Sequence, residues 1–394
     1  MWRKAVKYYF SFFSALCHLG IALALGVYLT NKITHHWRWQ ALVHAMKGRV
    51  DDSAVYPISS REQLAALPSR VWTKIDQQQP DAEGSFPRQP TATCAFDRKR
   101  NRLLVFGAEV NENPPDNTIH YFDLTKLRWE NEYEPDPLSS YFLDKSEFLV
   151  AGFNLNHPPA MQVFGAGAFD EKNDQLVIAS SVKREFYETR LPNIRIHESI
   201  SPTWVFDFAL NRWYAAANAT DFRTYSVAYD EDRNVVVGFQ PYHIGEWNGQ
   251  TRSWQKVGST TYPAWNTNAV YDSVNRVFLL FGGSNLSNEV HVYQAGGQKS
   301  VKMPTPGIKP PGRAAVPLVF HKGIGKMVAI IDRDNYAETW TYDYRQDEWQ
   351  HLSDSKFPYN VGMNYCLEYD SRNNIMLFVS SPPMEQTAVW ALKL

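Results

Sequence analysis

The chain has 394 residues, with 40 basic and 41 acidic side chains, and no segment concentrates positive charge, so a nucleic-acid partner is not expected. Aromatics are abundant (13 Trp, 21 Tyr, 22 Phe) and 44% of residues are apolar. That is enough for a substantial core and leans toward pleated, half-buried β structure.

Residues 1–7 form a basic tail containing Arg3, Lys4 and Lys7. The following stretch, YYFSFFSALCHLGIALALGVYLT (8–30), contains no Asp, Glu, Lys or Arg. As a helix it would span roughly 34 Å at about 1.5 Å per residue, enough to cross a bilayer. A cleaved signal peptide is the rival reading, with Ala22-Leu23-Ala24 as its site, but the apolar stretch runs on to Leu29. The expectation is therefore a single transmembrane helix that anchors the chain in the lipid bilayer. Basic charge is denser before the helix than after it, which favours an extracytoplasmic main domain. Residues 31–69 read as a stalk, with one amphipathic segment (HHWRWQALVHAMKG) and a second short helix beginning at Ser60.

From residue 70 onward one pattern recurs. TCAFDRKRNRLLVFG (93–107), GAFDEKNDQLVIAS (167–180), SVAYDEDRNVVVGF (226–239), NAVYDSVNRVFLLFGG (268–283) and LEYDSRNNIMLFVS (367–380) each join an aromatic-Asp pair, a polar turn and an apolar block. A sixth copy, PLVFHKGIGKMVAII (317–331), has His321 in place of the Asp. An Asp there can bond nearby backbone amides, and fully apolar blocks suit strands buried on both faces. A second pattern follows: Phe122, Phe206, Trp247 and Tyr342 each precede Trp129, Trp213, Trp254 and Trp349 by seven residues. The unit is thus four strands, a to d, which is the blade of a β-propeller. The sixth unit lacks strand d, and RVWTKI (70–75) supplies it through Trp72, so the N-terminal strand is expected to close the ring.

The glycines after strand b, the Tyr on strand c and the Trp on strand d resemble the kelch repeat, also found in galactose-oxidase-like propellers. The resemblance covers about residues 70–394. Only Gly282-Gly283 preserves the double glycine; the first blade has Gly107-Ala108. The expected fold is all-β: a six-bladed kelch-like β-propeller plus one N-terminal transmembrane helix.

The a–b and c–d turns fall on one face and are short. The long insertions (109–118, 130–163, 181–203 and 302–316) all fall on the other, and binding usually resides in variable loops on a rigid scaffold. Candidate binding residues there are Glu109, His157, Lys183, Arg184, Arg190, Arg195, His197 and His243. Strand d enters from the trimmed face, so the stalk should arrive on that side. The galactose-oxidase resemblance implies a copper site of two Tyr, two His and a cross-linked Cys, but no residue-by-residue match can be made. No CxxC or Cys/His cluster has metal spacing, and no cofactor is expected. Cys94 and Cys366 read as two buried free thiols, able to meet only if the fold brings the chain ends together. Asn218-Ala219-Thr220 and Asn285-Leu286-Ser287 fit the glycosylation pattern. The leading functional expectation is a non-catalytic accessory subunit that binds a protein partner in a membrane complex. The alternative is an extracytoplasmic carbohydrate-binding protein or carbohydrate-active enzyme, an oxidase or sugar mutarotase, with a glycan as ligand.

Overall fold

In five of the six repeats the carboxylate after the aromatic ties strand a to its own turn. Asp97, Asp170, Asp230, Asp272 and Asp370 are all buried. Asp272 accepts the backbone N–H of Val274 at 3.0 Å and of Asn275 at 2.9 Å, and the Asn275 side-chain amide at 2.7 Å. The carboxylates of Asp97, Asp170, Asp230 and Asp370 accept turn amides in the same way. Four residues beyond each Asp the backbone turns left-handed, with φ between 54° and 57° at Asn101, Asp174, Asn234, Arg276 and Asn374. Asn and Asp tolerate that conformation best, which explains the polar turns. The fifth repeat does without the carboxylate. Gly325 takes the left-handed position, and its N–H bonds to the His321 carbonyl at 3.0 Å. The buried His321 ring packs on Tyr369 with centroids 4.4 Å apart, and burial lowers its pKa to about 4.

A computed structural model describes residues 58–76, 91–107, 115–153, 155–197, 201–216, 226–261, 265–380 and 387–394. Strands a, b, c and d of blade 1 are Thr93–Asp97, Arg102–Phe106, Ile119–Asp123 and Arg128–Asn131. Blade 2 has Gly167–Asp170, Gln175–Ile178, Thr203–Asp207 and Arg212–Ala216. Blade 3 has Ser226–Asp230, Val235–Gln240, His243–Asn248 and Ser253–Gly258. Blade 4 has Asn268–Asp272, Val277–Phe281, His291–Gln294 and Val301–Lys302. Blade 5 has Leu318–His321, Lys326–Asp332, Ala337–Asp343 and Glu348–Phe357. Each is an antiparallel sheet in sequence order, and the a strands of adjacent blades line the centre. The expected aromatic pairs face each other across the c–d hairpins: Phe122 with Trp129, Phe206 with Trp213, Trp247 with Trp254 and Tyr342 with Trp349. Strand b of blade 4, VFLLF, is buried at every position. It ends at Gly282 and Gly283, whose φ values of 78° and 129° suit glycine alone.

Blade 6 joins the two ends of the chain. Strands Leu367–Asp370, Ile375–Ser380 and Ala388–Leu392 are completed by Thr73–Lys74, with Thr73 opposite Ala391 and Lys74 opposite Trp390. Trp72 is buried against Phe357 and Phe378, and its indole N–H donates to Thr339 Oγ1 at 3.1 Å. Trp254 makes the same bond to Thr203 one blade earlier, at 2.8 Å. Trp72 is therefore a strand-d tryptophan like the others, as the repeat arithmetic requires.

A helix at Ile58–Ala65 precedes this strand. Ser60 Oγ donates to the Thr125 carbonyl in the c–d turn of blade 1, and Leu64 packs with Leu124 and Leu127. The chain thus reaches the ring on the trimmed face. The basic tail 1–7, the membrane segment 8–30 and stalk residues 31–57 lie outside the described residues, as do Glu109 and the Asn218 sequon. No described helix is long and apolar enough to cross a membrane.

The two cysteines correct the sequence reading. Cys94, on strand a of blade 1, and Cys366, one residue before strand a of blade 6, form a disulfide with Cα atoms 4.8 Å apart. They stand 272 residues apart in sequence, and ring closure makes those distant positions neighbours. Cross-linking so long a loop stabilises the ring by up to ~5 kcal/mol in the chain-entropy picture. Cys366→Ser is expected to lower the urea-unfolding free energy by about 3–5 kcal/mol without altering far-UV circular dichroism; an unchanged midpoint would show that the bond adds nothing to closure.

Candidate functional site

Three successive positions of each strand a and its turn face the centre of the ring, around a cavity of about 180 Å³. The position before the aromatic is Ala95, Ala168, Ala228, Val270 or Val319 in five blades and Glu368 in the sixth. The aromatics follow, and two residues beyond the aromatic come four charged side chains, Arg98, Glu171, Glu231 and Lys322, and the hydroxyl of Ser273. The channel is therefore a narrow, largely apolar collar with a polar ring at the a–b end.

Ion pairs cross that ring. Arg98 from blade 1 reaches Glu171 of blade 2 at 3.1 Å and Glu231 of blade 3 at 2.8 Å. Lys322 from blade 5 reaches the other oxygen of Glu231 at 2.8 Å. Burial alone would raise the Glu231 pKa, but hydrogen bonds from Lys322, Arg98 and Ser273 outweigh it and bring it down to about 2. Two cations are thus matched to two carboxylates. Glu368 is left over. It makes no hydrogen bond or ion pair among the described residues, and burial pushes its pKa up to about 8, against the attraction of Arg98 and with the repulsion of Glu171.

The opposite face is built from the insertions. Residues 139–161 and 182–197 pack against each other through Tyr141, Leu149, Phe186, Tyr187, Ile194 and Ile196. The Tyr187 hydroxyl donates to the Ala160 carbonyl at 2.5 Å, and Tyr141 stacks on Tyr187 at 5.6 Å. The aromatics of these insertions therefore fill a satellite core, because the two long loops bury them together.

The candidate residues fare differently. His157 Nδ1 lies 2.7 Å from Asp136 Oδ2, its ring packs on Tyr133 at 4.4 Å, and Asn117 donates to the same carboxylate at 2.9 Å. Burial would raise the Asp136 pKa, but the bonds from His157 and Asn117 lower it. With Trp213 donating to the Tyr133 hydroxyl at 2.8 Å, this network pins the insertion to blade 2. Arg184 and Arg190 sit on the helix Arg184–Arg190, which Lys183 precedes. Arg184 pairs with Glu188 at 3.0 Å, and Arg190 lies over the Phe186 ring at 3.9 Å. Arg195 donates to the Pro192 and Ile194 carbonyls, and His197 is exposed just beyond. His243, expected in a loop, begins strand c of blade 3 opposite Gln240. His157 and the residues from Lys183 to His197 thus lie on two loops packed against each other, while His243 belongs to blade 3.

Exposed apolar side chains mark this face more clearly. The four most exposed among the described residues are Ile308 (78%), Phe153 (69%), Tyr242 (65%) and Trp265 (63%), and all lie on b–c or d–a loops. Leu286 and Met363 on the same face are exposed as well. The loops are rigidly joined: Ser284 N–H donates to the Trp265 carbonyl at 2.7 Å and Gly283 N–H to the Arg313 carbonyl at 3.0 Å. At Gly312 an added Cβ would lie 1.7 Å from the Leu286 carbonyl oxygen, so the two backbones are in direct contact.

A copper set of the kind the resemblance implies does not fit these residues. The cavity lining includes Tyr229, Tyr271, Tyr365 and Tyr369 but no histidine, and Cys94 is bonded to Cys366. No group of three or more His, Cys, Asp or Glu positioned to hold a metal ion occurs among the described residues.

No protein-family model and no curated protein matches the chain. Among solved structures it is similar to a fungal alcohol oxidase of the AA5 family in complex with copper, with a TM-score of 0.47 at 12% identity, over 81% of this chain and 76% of that one.

Glu368 gives the channel a pH signature. The folded pKa near 8 exceeds the ordinary glutamate value of 4.5, so the folded state holds its proton where the unfolded chain has lost it. Stability relative to Glu368→Gln is fully present below about pH 4.5, falls as pH rises toward 8, and levels off above. The loss is on the order of a few kcal/mol. Thermal melts of both proteins from pH 4 to 9 check this: curves that stay parallel would contradict it.

Proposed function

We propose that the chain is a membrane-tethered binding propeller whose ring lies outside the cytoplasm and whose elaborated face docks a protein partner in a membrane-associated assembly. The placement of Ile308, Phe153, Tyr242 and Trp265, the most exposed apolar side chains, on that face carries the reading. Aromatic and aliphatic anchors at the centre of a rigid patch are what protein interfaces use for affinity. The trimmed face exposes apolar side chains to a lesser degree, Leu210 at 57%, Val274 at 45% and Ile324 at 37%.

Two further observations support the arrangement. Disulfides persist in oxidising compartments, so the Cys94–Cys366 bond favours an extracytoplasmic ring. The helix Ile58–Ala65 meets the trimmed face, which leaves the opposite face free to point away from the membrane. An oxidase reading finds no copper-binding set among the described residues. A glycan ligand is the rival, since Trp265 and Tyr242 could also stack on sugar rings.

The test compares the full chain with a Trp265→Ala/Leu286→Ala double variant, each cross-linked in its native membrane before detergent extraction. The expected result is one discrete cross-linked protein partner, reduced at least tenfold in the variant. A protein that extracts alone and monodisperse, or a partner indifferent to both substitutions, overturns the reading; Trp265-dependent retention on an immobilised glycan would replace it with the carbohydrate one.

A further inference from the structure

Inside the ring, independent of the outer face, the inner collar has one irregular position. Five blades place Ala or Val before the strand-a aromatic, and blade 6 places Glu368. Side chains alternate along a strand. Glu368 therefore shares the side of its strand on which Cys366 bonds to Cys94, the side that faces blade 1. A carboxylate there disturbs an otherwise apolar collar and makes no hydrogen bond or ion pair among the described residues, the attraction of Arg98 acting only at longer range. A side chain of this kind in that position calls for an explanation outside the chain.

The surrounding charges limit what the explanation can be. Arg98 from blade 1 and Lys322 from blade 5 are both committed, to Glu171 of blade 2 and Glu231 of blade 3. With those four balanced, an ionised Glu368 leaves the channel one negative charge in excess. Asp370 on the same strand is buried and bonded within its own turn. The tyrosines Tyr229 and Tyr369 that face the channel bond to Asn234 and Asn374, and Tyr271 bonds to Asp232.

We propose that the channel binds a small primary ammonium ion, with its charged head against Glu368 and its alkyl part within the Ala and Val collar. A divalent metal is the poorer fit, because it needs several oxygen ligands and only one carboxylate is uncommitted. An ammonium needs one counter-charge and is compatible with aromatic surroundings, and Phe96, Tyr229 and Tyr369 are among the residues that line the same cavity. The volume, about 180 Å³, equals roughly six water volumes and admits a chain of a few carbons. Because Glu368 carries its proton at neutral pH, binding exchanges that proton for the ammonium and releases it to solvent.

Calorimetric titration of the full chain in detergent at pH 8.5 tests this, using n-butylammonium chloride, with 1-butanol and calcium chloride as comparisons. Saturable one-to-one binding of n-butylammonium is expected, at least tenfold weaker in both Glu368→Gln and Glu368→Ala. Ala is the residue three other blades hold at this position, so the fold should accommodate it, and melting curves check that both variants remain folded. The affinity should fall about tenfold per pH unit below pH 8, as proton competition requires. Absence of saturable binding, equal binding of 1-butanol, calcium binding in place of the amine, or undiminished binding by folded variants would each overturn the proposal.

Discussion

The pairing of Thr73–Lys74 with Ala388–Leu392 is the contact on which every other part of the ring depends. A blade is a small sheet with apolar side chains on both faces, and it is covered only if it has a neighbour on each side. Six of the seven core clusters among the described residues join two adjacent blades across such an interface, and one of them spans the seam between blades 6 and 1. Opening that seam would uncover Leu377, Val379 and Val389 on one side and Cys94, Phe96 and Leu103 on the other. The fold secures the seam twice, through a strand borrowed from the N-terminal side and through the Cys94–Cys366 bond.

Within a blade, the buried Asp at the end of strand a does the local work. A carboxylate removed from water is costly unless its lone pairs are met by donors. Each of the five finds backbone amides and, at the third turn residue, an Arg or Asn side chain. The turn is therefore fixed before the chain leaves it, and the next side chain is aimed at the ring axis. This is why a pattern that is purely structural in sequence positions Arg98, Glu171 and Glu231, three of the residues that give the channel its chemistry.

The repeat and its closure were legible because they rest on local rules: a left-handed turn wants Asn or Asp, and a c–d hairpin sets Phe122 opposite Trp129 in fixed register. The packing of the insertions was not. Tyr141 and Tyr187 are separated by 46 positions, and no local rule pairs them before the fold brings their loops together. The disulfide was hidden for the same reason, since its partners are adjacent only in a closed ring. The channel residues were visible in principle. Aligned on the aromatic, the six copies hold Glu368 as the one charged residue in a column of Ala and Val. A site read loop by loop misses that column, because its members come from six different segments.

The seam also explains how the ring tolerates Glu368. An unpaired carboxylate in the collar destabilises the folded state by on the order of a few kcal/mol once it ionises. Cross-linking a loop of this length contributes a comparable amount in the opposite sense. Cys366 and Glu368 lie two residues apart on the same side of one strand, so the covalent lock sits beside the charge that most opposes closure. At the other five interfaces the Ala or Val at this position needs no such support, and none is crossed by a disulfide among the described residues. A channel carboxylate is therefore affordable at this interface above all others, and the interface that closes the ring is also the one that gives its interior a charge.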